Sequence, residues 1–518
     1  MDKINLQQAS VAVIGAGTMG IGIAQLAAMN GHQTFVYDVD AAKTEAALQQ
    51  LATQLSKRVQ AGKMTQELFD STFANLSVAH KLAELAPAQL IIEAIVEKKE
   101  VKQNLFQQLA AICTEETIFA SNTSSISITA IASAVPHPER VVGLHFFNPA
   151  PVMKLVEIIR GLKSSSAIAD ALLELMQAWN KVPVLAKSTP GFIVNRVARP
   201  YYTEAFRALQ ENVTRPEQLD FILRECGRFA MGPCELTDLI GQDVNFSVTQ
   251  SVYQEFFYEP RYRPSLIQKE LVDAGCFGRK SKQGFYDYSQ ATVTPQFELP
   301  VRYVKSVEKL TVTIKGDWKH SSGLIQRLAQ ASHLDVKFVE GKQDEILLGE
   351  VSLRLSLGES VDLDYANQKV VLMDWHADWA QAKAIPVVAS AACTEVEQNL
   401  VDLLFIGMNV IPLWMQDHAG LYVLRTISML VNEACEAVLH GIASEQDIDS
   451  AMKYGVNYPQ GPFQWAEKIE YNTILQILKN LYRVYGEERY RPSIYLAKKV
   501  ARGQVQNSPQ SQQLLIAG

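Results

Sequence analysis

The sequence predicts a doubly wound α/β domain, then a mainly α-helical domain, a small α/β module and a second helical repeat. Three observations carry that reading. "SVAVIGAGTMGIGIAQLAAMNGHQTFVYDVD" opens the chain as strand, glycine-rich turn, helix and strand. Strands and helices then alternate up to "STPGFIVNR" (188–196), after which helical periods dominate. Finally, the end of the chain repeats its middle. "PGFIVNR" at 190–196 aligns with "AGLYVLR" at 419–425, and "TEA" at 203–205 with "NEA" at 432–434. "MGPCELTDLIG" (231–241) aligns with "QGPFQWAEKIE" (460–470), and "RYRPS" occurs at both 261–265 and 489–493. The spacing stays at 229 residues until one deletion makes it 228, a register that chance does not keep. The boundaries that follow are 1–188, 189–290, 295–410 and 415–518.

Taken in order, Val11 to Ile14 are an apolar, β-branched run, and Gly20 to Met29 are small or apolar, as in a helix packed on a sheet. "GH" at 31–32 ends that helix and "QTFVYD" starts the next strand. Further strands are expected at 90–94, 117–120 and 141–147, with helical patterns between them such as 99–112. This alternation implies a parallel sheet. Residues 41–80 are polar and helical, and read as a protruding helical pair. In the small module "KLTVTIKG", "VKFVEG" and "KVVLMDW" read as strands and "SSGLIQRLAQAS" as a helix. "LLFIGMNVIP" (403–412) echoes "VVGLHFFNPAP" (141–151). Matching Asn409 and Pro412 to Asn148 and Pro151 sets Ile406 where His145 stands. The module then reads as a worn copy of the first domain without its histidine.

Composition narrows the function. The chain has 518 residues, too many for one core, and 48% are apolar. A net charge of -7 and the lack of a long basic run argue against nucleic acid as a partner. Six cysteines without CxxC pairs argue against structural zinc and a disulfide framework, and suit the cytoplasm. No signal peptide is expected at the N-terminus. No uncharged run reaches about 18 residues, so no membrane span is expected.

Four motifs carry chemistry. "GAGTMG" sets Gly15, Gly17 and Gly20 in GxGxxG spacing, with Thr18 and Met19 between them. Gly15 allows the tight turn, Gly17 lets a pyrophosphate approach, and Gly20 lets the helix pack close. The phosphates then face a helix N-terminus. Asp38, at the end of the following strand, suits the ribose hydroxyls of NAD and repels the extra phosphate of NADP. "FASNTSSISI" (119–128) crowds Ser, Asn and Thr at a strand end, which reads equally as a ligand site or a helix cap. In "HFFNPAPVMKLVEII" Glu157 follows His145 by twelve residues, in the next apolar strand. A carboxylate bonded to an imidazole fixes its tautomer and favours its protonated form. "TPGFIVNRV" places Asn195 at an apolar helix start, as a cap or a site residue.

Together with "EAIVE", these motifs resemble the L-3-hydroxyacyl-CoA dehydrogenase family over residues 5–288, and the family's helical pattern recurs at 419–502. The resemblance implies a Rossmann domain that binds NAD, and an acyl-CoA substrate. It implies His145 as the catalytic base and Glu157 as its partner, with Ser124 and Asn195 on the substrate's 3-oxygen. It implies Asp38 on the adenosine ribose and Glu97, Lys102 and Asn122 around the nicotinamide half. The polar helical pair resembles the element that meets coenzyme A, with Lys57, Arg58 and Lys63 as candidates. No metal is implied. Short members dimerise through the helical domain, so the duplication is expected to supply that interface within one chain; a homo-oligomer stays open. The long form resembles bacterial enzymes of phenylacetate catabolism, which implies 3-hydroxyadipyl-CoA as substrate. The alternatives are 3-hydroxybutyryl-CoA, or a sugar acid on the same scaffold.

Overall fold

The computed structural model describes residues 4–290, 297–300 and 309–506. The first residues of the small module and the last twelve of the second repeat lie outside that range. The chain forms two compact units: residues up to Arg196 with His440–Val456, and Val197–Leu439 with the residues from Asn457 on. The units thus cut across the sequence repeats.

The first unit is built on an eight-stranded sheet. Its strands are β1 (Val11–Ile14), β2 (Thr34–Tyr37), β3 (Leu76–Val78), β4 (Leu90–Glu93), β5 (Ile118–Ser121), β6 (Val141–Phe146), β7 (Leu155–Arg160) and β8 (Val182–Lys187). Their order is β3-β2-β1-β4-β5-β6-β7-β8. Val11, Val13, Ile92, Val142 and Ile158 are buried against the helices Thr18–Met29 and Ser166–Ala178. The sheet is not wholly parallel, as the alternation suggested. β7 runs antiparallel to β6. Only residues 147–154 join them, too few for the crossover helix that a parallel partner needs. The polar pair is Ala41–Gln60 and Gln66–Ala74, but its stretch ends in β3, which polarity had hidden. The helix Glu445–Gly455, from the second sequence repeat, packs on β7 and β8. Its glycine matters there: a Cβ on Gly455 would lie 2.6 Å from Leu155 Cδ2.

The second unit carries most of both helical repeats. Arg199–Gln210 is followed by Pro216–Glu225, Pro233–Ile240, Gln242–Glu255 and Leu266–Asp273. Val423–Leu439, Pro462–Ile469, Tyr471–Tyr485 and Ile494–Gln506 match all of these but Pro216–Glu225, whose counterpart Glu445–Gly455 belongs to the first unit. One difference has a simple cause. Val423–Leu439 is continuous, whereas the first repeat breaks at Ala198, between Val194–Val197 and Arg199–Gln210. Pro200 stands where the second repeat has Met429, and proline cannot donate the backbone bond that would join the turns. The repeats grip each other reciprocally. Tyr262 Oη donates to Glu433 at 2.6 Å, and its counterpart Tyr490 donates to Glu204 at 3.1 Å. Such a self-complementary contact is the signature of a two-fold interface, here within one chain.

The second unit also holds a seven-stranded sheet, in the order β10-β9-β11-β12-β13-β14-β15. Its strands are β9 (Leu310–Lys315), β10 (Leu334–Val339), β11 (Glu345–Leu348), β12 (Val351–Leu355), β13 (Val370–Met373), β14 (Ala384–Ala389) and β15 (Ile411–Trp414). β13, β14 and β15 repeat β6, β7 and β8. β13 and β14 are antiparallel, and Ala384 pairs with Ile411 as Leu155 pairs with Val182. This corrects the expected echo. "LLFIGMNVIP" is the end of helix Glu395–Ile406 plus the start of β15, so Ile406 is not the counterpart of His145. That place belongs to Asp374, directly after β13, whose N–H bonds Pro386 O as the opposing residue.

Candidate active site

The hairpin β6–β7 sets His145 directly opposite Glu157. His145 Nδ1 lies 2.7 Å from Glu157 Oε2. Both side chains are buried, and the imidazole packs against Phe147 and Phe192. A buried imidazole needs a partner for Nδ1–H, and the carboxylate supplies it, leaving the lone pair on Nε2. Glu157 has a second task. Its Oε1 accepts the N–H groups of Ile193 and Val194, at 3.1 and 3.0 Å. Those residues open the helix Val194–Val197, which carries Asn195. One buried carboxylate therefore fixes both the histidine and the backbone beside Asn195.

The end of β5 converges on the same strand. Asn122 Oδ1 accepts Phe146 N–H at 2.8 Å, tying the loop to the residue after His145. Ser124 N–H donates to Glu97 Oε1 at 2.9 Å, and Thr123 Oγ1 donates to the same oxygen at 2.6 Å. The two readings of "FASNTSSISI" divide between residues: Ser127 caps the helix Ile128–Ala132, while Thr123 to Ser125 gather on Glu97. Burial raises the Glu97 carboxyl, but the Lys102 charge and the Thr123 and Ser124 bonds outweigh it and hold it below its ordinary value. Lys102 is buried beneath this loop, 2.6 Å from Glu93 and 3.2 Å from Glu97. In this geometry it acts on Glu97.

Glu93 belongs to the same buried cluster and was missed by motif reading. It is fully buried and also accepts the Ser121 hydroxyl, at 2.6 Å. An acid in the otherwise apolar strand "LIIEA" was the available signal.

The glycine-rich turn fits a dinucleotide. Gly15 has φ +109°, and a Cβ there would lie 2.4 Å from Ala94 O. A Cβ on Gly20 would lie 1.8 Å from Gly15 O, so only glycine permits this helix–turn contact. Nothing lies within 4 Å of the Cβ position of Gly17, which leaves its face open. The helix Thr18–Met29 starts there without a side-chain cap, with Thr18 exposed and Met19 packed against the core. Asp38 Oδ2 accepts Ala16 N–H at 2.8 Å, which pins the turn. Burial raises the Asp38 carboxyl, yet the Ala16 and Asp40 N–H groups and the Lys43 charge leave it lowered overall. Lys43, 3.6 Å from Asp38, was also missed. It lines a cleft of about 470 Å³ between the turn, the helix Ala41–Gln60 and the loop at Pro149 and Pro151. Lys57 and Arg58 lie at the far end of that helix and Lys63 beyond it, all exposed.

Among the described residues, no group of three or more His, Cys, Asp or Glu could hold a metal ion. No helix among them is long and apolar enough to cross a membrane.

Comparison with known proteins identifies the family. The model of the 3-hydroxyacyl-CoA dehydrogenase NAD binding domain matches residues 10–189. The C-terminal domain of the same family matches 191–288 and again 420–512. A 3-hydroxybutyryl-CoA dehydrogenase reduced Rossmann-fold domain matches 353–418. The 3-hydroxyadipyl-CoA dehydrogenase of Escherichia coli K12 is 43% identical over 96% of this chain and 98% of its own. The 3-hydroxybutyryl-CoA dehydrogenase of Bradyrhizobium diazoefficiens is 40% identical over 55% of this chain and 97% of its own. The crystal structure of a 3-hydroxybutyryl-CoA dehydrogenase from Escherichia coli K12 superposes with a TM-score of 0.86 at 41% identity, covering 95% of this chain and 98% of that one. The chain belongs to the NAD-dependent 3-hydroxyacyl-CoA dehydrogenase family, in its long form with two C-terminal helical repeats.

Proposed function

We propose that His145 is the base that removes the proton from the 3-hydroxyl of the acyl-CoA, and that 3-hydroxybutyryl-CoA is the preferred substrate. The observation that carries the first part is the buried His145–Glu157 pair, with Nδ1 bonded at 2.7 Å. Nε2 takes the hydroxyl proton, and Glu157 stabilises the imidazolium that forms. Ser124 and Asn195 donate hydrogen bonds to the 3-oxygen. Bound NAD supplies the hydride acceptor. Asp38 meets its adenosine ribose, the turn from Gly15 to Gly20 its pyrophosphate, and Glu97 and Asn122 its nicotinamide half. Lys102 serves by holding Glu97. Lys57, Arg58 and Lys63 meet the coenzyme A phosphates.

The preference for a short acyl chain is supported by the relatives named for 3-hydroxybutyryl-CoA, among them the full-length structural relative. A second reading, 3-hydroxyadipyl-CoA in phenylacetate catabolism, is favoured by the 43% identical relative that aligns over 98% of its own chain. NADH formation against a panel of 3-hydroxyacyl-CoAs separates them. The first reading expects the highest kcat/KM with 3-hydroxybutyryl-CoA. A higher value with 3-hydroxyadipyl-CoA sinks it in favour of the second. Turnover of a sugar acid but of no acyl-CoA sinks both.

A further inference from the structure

The helical unit holds a cleft of about 360 Å³ that plays no part in the oxidation. It lies between the helix Arg199–Gln210, the start of the helix Leu266–Asp273 and the turn at Glu487 and Arg489. We propose that this cleft binds a small oxyanion, a phosphate or carboxylate group, at the N-terminus of Leu266–Asp273.

The helix start is the first argument. Ser265 occupies the capping position of Leu266–Asp273 but makes no side-chain cap, and its buried Oγ has no hydrogen-bond partner. Uncapped N–H groups and the helix dipole favour an anion. The arginines are the second. Arg207, Arg263 and Arg489 line the cleft. Arg489 is only 7% exposed, and its Nε makes no hydrogen bond. Its nearest carboxylates, Glu204 and Glu487, stand off at 3.6 Å. Glu211 and Glu487 also line the cleft, but Arg207 already bonds both at 2.8 Å. Arg425, outside the cleft lining, bonds Glu204 at 2.7 Å. Four guanidiniums, of Arg207, Arg263, Arg425 and Arg489, thus face the three carboxylates of Glu204, Glu211 and Glu487.

The other repeat supplies the third argument. There Asn432 stands for Thr203, Glu436 for Arg207 and Ser493 for Ser265. Asn432 Oδ1 accepts Ser493 N–H at 2.7 Å, and Ser493 Oγ accepts Tyr495 N–H at 3.2 Å. The protein itself satisfies that helix start. In the first repeat the amide has become a threonine and the acid an arginine. Both changes favour an external anion.

The test uses the full chain. Calorimetry and thermal unfolding are run with inorganic phosphate and with adipate, against sodium chloride at equal ionic strength. Saturable binding of either anion is expected, and the tighter one identifies the source as phosphate or carboxylate. Arg263→Gln, an exposed position, should raise Kd by about tenfold, the loss of one charge-assisted bond. Thr203→Asn, which installs the second repeat's amide, should do the same. NADH formation should be unchanged in both. No saturable binding, stabilisation equalled by sodium chloride, or an unaltered Kd in Arg263→Gln would overturn the site. None of these outcomes depends on which acyl-CoA is oxidised.

Discussion

The second sheet repeats three strands of the first, β6 to β8 as β13 to β15, without the histidine. Gly316, at φ +87°, follows β9 as Gly15 follows β1, and Trp318 stands two residues on, where the first sheet has Gly17. Its indole is buried and donates to Lys315 O at 2.8 Å. Asp344 Oδ1 accepts the N–H groups of Asp317 and Trp318, so a side chain takes the backbone donors that a phosphate would use. At the other end of the sheet, Asp374 stands for His145 and Pro386 for Glu157. Asp374 accepts the N–H groups of Tyr422 and Val423 at 2.8 Å. Those are the counterparts of Ile193 and Val194, which Glu157 holds. The second sheet keeps the carboxylate anchor for its helix and has moved it one strand over. What it has dropped is the imidazole. On the proposed mechanism, the anchor belongs to folding and the histidine to the reaction.

The comparison breaks first at His145. His145→Ala should lower kcat by about 10²–10⁴-fold and leave NAD affinity intact. Near-normal turnover would show that the histidine is only a packed residue. The sharper version transplants the second sheet's pair. His145→Asp with Glu157→Pro should melt cooperatively and be inactive, and an unfolded product would mean that the anchor cannot move between strands.

The repeat interface, where both copies keep the same residues, should answer differently. Glu204→Ala leaves Arg425 buried without its carboxylate, which costs about 3–5 kcal/mol of stability. Denaturant unfolding measures it, and a loss below about 1 kcal/mol would show the reciprocal grip to be incidental. Gly17→Trp copies Trp318 into the first sheet. The open Cβ position predicts an intact fold with NAD affinity reduced at least about 100-fold, read by titration of the bound cofactor. Undiminished NAD binding would show that a tryptophan at this place does not by itself exclude the cofactor.

Much of this was legible because it is local. The glycine turn, and the twelve-residue step from His145 to Glu157, lie within short segments whose spacing implies geometry. The repeat was visible because Tyr262, Tyr490 and their neighbours keep one register. Asp374 was not visible, because matching Asn409 and Pro412 by letter ignored that the carboxylate had changed strands. Nor was the packing of Glu445–Gly455 on β7 and β8, since no local pattern announces a contact nearly 300 residues away in sequence. Lys43 and Glu93 act through partners brought by neighbouring elements, and only the burial of Glu93 left a trace in the sequence.

The smallest effect tests the anchor itself. Burial raises the Asp374 carboxyl, and the N–H groups of Val423, Tyr422, Trp375 and Leu424 pull it back, leaving it at about 6 against an ordinary 3.8. The folded chain therefore holds this proton more tightly than the unfolded chain. The contribution to stability is complete below about pH 4 and is lost as pH rises through about 6, on the order of 2–3 kcal/mol. Asp374→Asn cannot titrate, so the stability difference between wild type and variant isolates the group from every other carboxylate. Wild type should gain on the variant between about pH 7.5 and about pH 5 in denaturant unfolding. A difference that stays constant over that window would mean that the carboxylate is solvated in the folded chain. The parallel with the Glu157 anchor would then fail, and the second sheet would hold its helix by packing alone.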